Sequence, residues 1–148
     1  MDLFYSFEGN LDDLKKEIPQ LWDSIAVHRI ILLQGEMGAG KTTLVQLLAN
    51  YLGTDDRVQS PSYALMNEYF INNEDDLYPT WVHSDWFRIN DISEAIDMGF
   101  QEMLEDINLR HFIEWSEKIN EIVPKDAILI KIEKITKASR KITLSYLM

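Results

Sequence analysis

Residues 35–42 read Gly-Glu-Met-Gly-Ala-Gly-Lys-Thr, a full G-x-x-x-x-G-K-T phosphate-binding loop, and its flanks restrict the fold more than the motif alone. Upstream, Arg29-Ile30-Ile31-Leu32-Leu33-Gln34 is a short apolar, β-branched run suited to a buried strand; downstream, Lys41 to Leu52 carries apolar residues at helical spacing. A loop set between strand and helix directs the unpaired N–H groups of the first helical turn, and the helix dipole, at a bound anion. Gly35, Gly38 and Gly40 allow positive φ and close backbone approach, while Met37 and its neighbours fill variable positions. Lys41 supplies a compact cation for β- and γ-phosphates, Thr42 a hydroxyl for Mg²⁺, and Thr43 a second hydroxyl near the α-phosphate. Glu36, Met37, Gly38, Ala39, Gly40, Lys41, Thr42 and Thr43 are therefore the expected nucleotide-binding residues.

Composition excludes several classes. A chain of 148 residues with 46% hydrophobic content suits one globular domain, 1–148. No apolar run reaches the roughly 20 residues of a membrane span, and the start Met1-Asp2-Leu3-Phe4-Tyr5 lacks a basic leader, so a cytoplasmic location is expected. With no cysteine, disulfides and thiolate metal sites are excluded, and His28, His83 and His111 have no partner at ligand spacing. The net charge of −11, with basic residues scattered singly, opposes a phosphate backbone, so no direct nucleic-acid binding is expected. Such an acidic surface suits a basic protein partner or simply solubility.

Elements alternate along the chain. Leu3 to Phe7 reads as a strand; Asn10, with Asp13 three positions on, predicts a capped helix over Leu11 to Ala26 that Pro19 kinks or splits. Beyond Gly53 the polar Thr54 to Pro61 is turn-prone, and Tyr63 to Ile71 and Thr80 to Ser84 read as a hairpin-like strand pair around the exposed loop Asn72 to Asp76. Ser93 is the predicted cap of a helix through Met98, and Glu102 to Asp106 forms a short second one. Leu109 to Ile113, Ile128 to Ile132 and Lys141 to Leu147 close the list as strands. The expected architecture is a three-layer α/β P-loop NTPase fold with a mixed, mainly parallel sheet, its core including Trp22 and Trp81.

A phosphate loop also needs carboxylates at neighbouring strand ends to support Mg²⁺ and an attacking water. Glu114 ends the run Leu109 to Ile113, and Asp85 ends Trp81-Val82-His83-Ser84; both fall where ligands of open α/β sheets collect. Arg88 is expected to pair with Asp85, the alternative being a contact with phosphate.

Outside the loop, Ser60-Pro61-Ser62-Tyr63, Asn67-Glu68-Tyr69, His83-Ser84-Asp85-Trp86-Phe87-Arg88, Gly99-Phe100 with Glu102, and Ile113-Glu114-Trp115-Ser116-Glu117-Lys118 together resemble the TsaE (YjeE) family. That family contains the ATPase component of bacterial tRNA threonylcarbamoyladenosine synthesis, and the likeness runs through Arg140-Lys141-Ile142. The resemblance implies ATP and Mg²⁺ as ligands and Lys41, Asp85 and Glu114 as catalytic groups. It implies Thr42 and Glu114 at the metal, Ser60 to Tyr63 as a switch-like segment, and Trp115 beside the site, in a packing or a switch role. The family pattern has Thr-Phe at Ser62-Tyr63, where Ser62 keeps the hydroxyl; it has Tyr at Phe87 and an N-terminal Thr where Asn10 stands.

The resemblance further implies docking on TsaD and TsaB, with ATP binding and hydrolysis resetting that complex between turnovers. Turnover by the isolated chain is then expected to be slow, since Arg29, Arg57, Arg88, Arg110 and Arg140 are widely spread and form no lid. Two rivals from other classes are a nucleotide-dependent assembly factor with negligible hydrolysis and a small-molecule kinase.

Overall fold

The capping signal at Asn10 is realised in full. In the computed structural model, which describes residues 2–61 and 65–147, the Asn10 side chain accepts from the Asp13 N–H at 2.9 Å and Asp13 accepts from the Asn10 N–H at 3.0 Å. This turns β1 (Asp2–Asn10) directly into α1 (Leu11–Ile25). Of the two outcomes expected at Pro19, a kink or a split, the split does not occur: α1 runs through it unbroken. Both Pro19 and Lys15, whose carbonyl loses its helical donor, are exposed, where solvent can satisfy that carbonyl.

The phosphate loop joins β2 (Ile30–Gln34), one residue shorter than the predicted Arg29 to Gln34, to α2 (Lys41–Leu52), which has the predicted bounds. Next come β3 (Met66–Phe70), β4 (Thr80–Asp85), α3 (Ile92–Asp97), α4 (Phe100–Glu105) and β5 (Leu109–Glu114). A 3₁₀ segment over Ser116–Ile122, which periodicity did not reveal, leads to β6 (Ile128–Lys134) and β7 (Ser139–Tyr146). The cap of α3 is Asp91 with Glu94, not Ser93, because an Asp that accepts from the first turn and an acid three residues on form the reciprocal box. The second short helix starts two residues earlier than predicted, since Gly99 in the left-handed region (φ 83°) breaks the chain direction there. Tyr63, predicted to begin the third strand, lies outside the described residues.

The seven strands form one sheet in the order β1-β7-β6-β2-β5-β4-β3. Its centre, β6-β2-β5-β4, is parallel; β3 on one flank and β7 and β1 on the other run antiparallel to their neighbours. Strand alternation splits the core into two. Ile31 and Leu33 of β2, Phe112 of β5 and Trp81 of β4 face α1 and α2; Ile30, Leu32 and Ile113 face Phe100 and Leu104 of α4, with Ile119. That is the three-layer arrangement expected. Trp22 and Trp81 are core residues, their rings stacked with centroids 5.8 Å apart.

Two buried polar groups tie the layers together. The guanidinium of Arg110, on β5, donates to the carbonyls of Ile25, Ala26 and His28 at the end of α1 and to Asp76 Oδ1 at 2.8 Å. Asp76 Oδ2 accepts from the Trp81 indole at 3.0 Å, and the Trp22 and Tyr78 rings flank the cation at 4.8 and 5.0 Å. The cation thus serves the carbonyl end of a helix dipole. On the opposite face, fully buried His111 donates from Nε2 to the Met103 carbonyl at 2.9 Å, and burial pushes its pKa down to about 4.

Candidate nucleotide site

Parallel pairing sets the level of every site residue. Leu33, two residues before the loop begins, lies beside Glu114, and Glu114 lies beside Asp85 across the next pair. By alternation Leu33, Phe112 with Glu114, and Trp81 with His83 and Asp85 all belong to the face covered by α2. The two acids predicted from strand ends therefore emerge side by side next to the loop.

Within the loop the glycines have distinct jobs. Gly38 (φ 79°) and Gly40 (φ 112°) occupy backbone conformations that side chains disfavour. Gly35 is needed for space, as a Cβ there would stand 2.8 Å from the Ile132 carbonyl oxygen. Gly40 precedes α2 without any side-chain cap, so the first-turn N–H groups remain directed at the cavity. Arg140 of β7 donates from Nε to the Ala39 carbonyl at 2.9 Å and fixes the loop's far side. Sequence reading did not single out that anchor, 101 residues away from its partner.

Lys41 Nζ donates to the Gly35 carbonyl at 2.7 Å and stands 3.5 Å from Glu114 Oε1. The other carboxylate oxygen of Glu114 accepts from His83 Nε2 at 2.6 Å, and both side chains are buried. Asp85 Oδ1 accepts the Phe87 N–H at 3.0 Å, an interaction that orients the carboxylate from its own turn. The cavity, about 510 Å³, is lined by Met37, Gly38, Gly40, Lys41, Thr42, Thr43, Ser60, Asp85, Phe87, Arg88, Glu114 and Trp115. Of the predicted set, Ala39 is buried behind the loop, and Glu36 lines an adjoining cavity instead, 3.9 Å from Lys134. Ser62 lies outside the described residues.

Trp115 follows Glu114 in the left-handed region (φ 58°), an uncommon conformation for a bulky residue that turns the chain off the sheet. Its ring is part of the cavity wall, packed on Phe87 at 4.7 Å and 5.8 Å below the Lys41 ammonium. It does not form a bed beneath the site, being 37% exposed.

The oxygen donors Thr42, Asp85 and Glu114 suit Mg²⁺, a hard cation held by one or two carboxylates together with phosphate oxygens. Such a site needs no cage of protein ligands, and among the described residues no cluster of three His, Cys, Asp or Glu forms one.

A glycine loop between a central parallel strand and an uncapped helix, with acids at the adjacent strand ends, defines a chain of the P-loop NTPase fold. Residues 8–142 match the family described as threonylcarbamoyl adenosine biosynthesis protein TsaE, and the chain belongs to that family. The tRNA threonylcarbamoyladenosine biosynthesis protein TsaE of Haemophilus influenzae is 36% identical over 104 residues, 70% of this chain and 62% of that protein, so the chain spans somewhat less than two thirds of this relative. The protein of the same name from Borreliella burgdorferi is 33% identical over 82% of this chain and 84% of its own length. In fold, the crystal structure of Bacillus subtilis YdiB matches with a TM-score of 0.67 at 21% identity, covering 100% of this chain and 89% of that one. Among the described residues no helix is long and apolar enough to cross a membrane.

Proposed function

We propose that the chain binds ATP with Mg²⁺ and hydrolyses it slowly, in support of a TsaD–TsaB complex that carries out threonylcarbamoyladenosine modification of tRNA. One observation carries the reading: the loop lysine lies 3.5 Å from a buried carboxylate that ends the neighbouring strand, at the mouth of an uncapped helix. In this reading Lys41 and the first-turn N–H groups of α2 hold the β- and γ-phosphates and offset the charge that develops on them. Thr42 and Glu114 would hold Mg²⁺, whose chemistry is to bridge and neutralise phosphate oxygens. Asp85, beside Glu114 in register, shares the support of the attacking water. In this reading the chain drives its partners and does not itself modify the tRNA.

In this reading the exposed, mutually packed rings of Phe87 and Trp115 at the rim of the cavity are the apolar surface that a partner meets beside the site. The deciding measurement is phosphate release from MgATP by the purified chain, alone and with purified TsaD and TsaB. Release that rises with the partners and disappears in Lys41→Ala supports the reading. Nucleotide-dependent docking without release would instead define an assembly factor, and a phosphorylated metabolite among the products would define a kinase.

A further inference from the structure

His83 is the most telling group that the site description leaves without a role. It is fully buried on β4, and its Nε2 makes one short contact, 2.6 Å, to Glu114 Oε2. Among the described residues its other ring nitrogen, Nδ1, has no partner. A buried imidazole with an unpaired nitrogen destabilises the core relative to an apolar ring of the same size. The compensation is directed at a single place, the carboxylate beside Lys41. A carboxylate only accepts, so Nε2 carries the proton of this bond. With Oε2 held from below by this bond, Oε1 is the oxygen that reaches Lys41 and the cavity.

We propose that His83 is a positioning residue for ATP hydrolysis: its Nε2–H fixes the Glu114 carboxylate so that Glu114 works at the metal and water through Oε1 alone. The inference rests on the ATPase reading above and adds a residue to it. Outer hydrogen-bond partners of this kind set the orientation of the group that does the chemistry, and their loss lowers activity about 10- to 100-fold.

The test uses the full chain with MgATP under the conditions that give the highest wild-type turnover. His83→Phe keeps a ring of similar size but removes the donor; His83→Gln keeps an N–H able to reach Glu114. Expected results are a kcat about 10- to 100-fold lower in His83→Phe with KM and ADP affinity near wild type, and substantial recovery in His83→Gln. In a Glu114→Gln background His83→Phe should add little, because the two residues act as one unit. Thermal unfolding of each variant identifies any loss of fold; if His83→Phe is unfolded, His83→Gln decides, with near-wild-type kcat expected if the donor matters. Wild-type kcat in folded His83→Phe, a His83→Gln no better than His83→Phe, or full additivity with Glu114→Gln overturns the inference and leaves the ATPase reading intact. A wild-type chain that releases no phosphate, alone or with TsaD and TsaB, overturns both.

Discussion

Acid should weaken this fold through one histidine, by an amount the structure allows to be worked out. His111 is completely buried between β5 and α4, with the edge of the Phe100 ring near it and its Nε2–H on the Met103 carbonyl. Burial holds its folded pKa at about 4, against 6.5 in an unfolded chain. The folded pKa is the lower one, so between these values the unfolded state binds more protons and stability falls as pH falls. Nothing is lost above about pH 7. The loss from this residue is about 2 kcal/mol at pH 5, where most carboxylates are still ionised, and about 3 kcal/mol at pH 4. Replacing His111 with Gln keeps a donor for Met103 and removes the titration. Urea unfolding of both proteins from pH 7.5 to pH 4 isolates the effect, since whatever the other groups contribute cancels in the difference. The wild type should lose about 2 kcal/mol more than His111→Gln between pH 7.5 and pH 5. Parallel stability curves over that range would refute the argument and show that the imidazolium finds water or a carboxylate in the folded state.

Three other outcomes are expected. Lys41→Ala should leave the fold intact and cost roughly 2 to 4 kcal/mol of transition-state stabilisation, read as lost phosphate release; unchanged release would place the chemistry elsewhere. Asp85→Asn, at the attacking water, should lower kcat by about 100-fold or more while ADP binding, followed by calorimetry, stays near wild type, whereas Glu114→Gln, at the metal, should lower both kcat and nucleotide affinity; normal turnover in both at saturating Mg²⁺ would refute the pair. Asp76→Ala should destabilise the protein by about 3 to 5 kcal/mol in urea unfolding, because it strips the buried Arg110 guanidinium of its counter-charge; a loss below about 1 kcal/mol would mean that the three α1 carbonyls and the flanking rings suffice.

What the sequence discloses and what it withholds divide along sequence separation. The strand before the loop, α2, the Asn10–Asp13 cap and the strand-end acids are local patterns, and each lies where the residues predict. The failures are local competitions decided by small differences. Asp91 rather than Ser93 caps α3, and Pro19 is carried within an unbroken α1 because the carbonyl it deprives of a donor, that of Lys15, is on an exposed residue. The contacts that organise the site are different in kind. His83 meets Glu114 across 31 positions and Arg140 meets Ala39 across 101, and neither pairing can be inferred until strand order and register are known. With register in hand the histidine becomes readable: Asp85 aligns with Glu114, so the residue two before Asp85 lies one step below that pair on the same face.

The pairing of β1 with β7 also bears on how the chain is made. Asp2 to Asn10 align with Tyr146 back to Ser139, and β1 has no other strand neighbour. β1 is synthesised more than a hundred residues before β7, so it emerges long before its hydrogen-bonding partner exists. Through most of synthesis its N–H and C=O groups face solvent or other nascent chains, with α1 the nearest element able to shield them. The parallel centre β2-β5-β4 can assemble earlier, but the β6-β7-β1 flank closes only when β7 has cleared the exit tunnel. The β1–β7 pairing is thus the strand contact of greatest sequence separation in the sheet, the kind that forms late because its closure entropy is met before the contact rewards it.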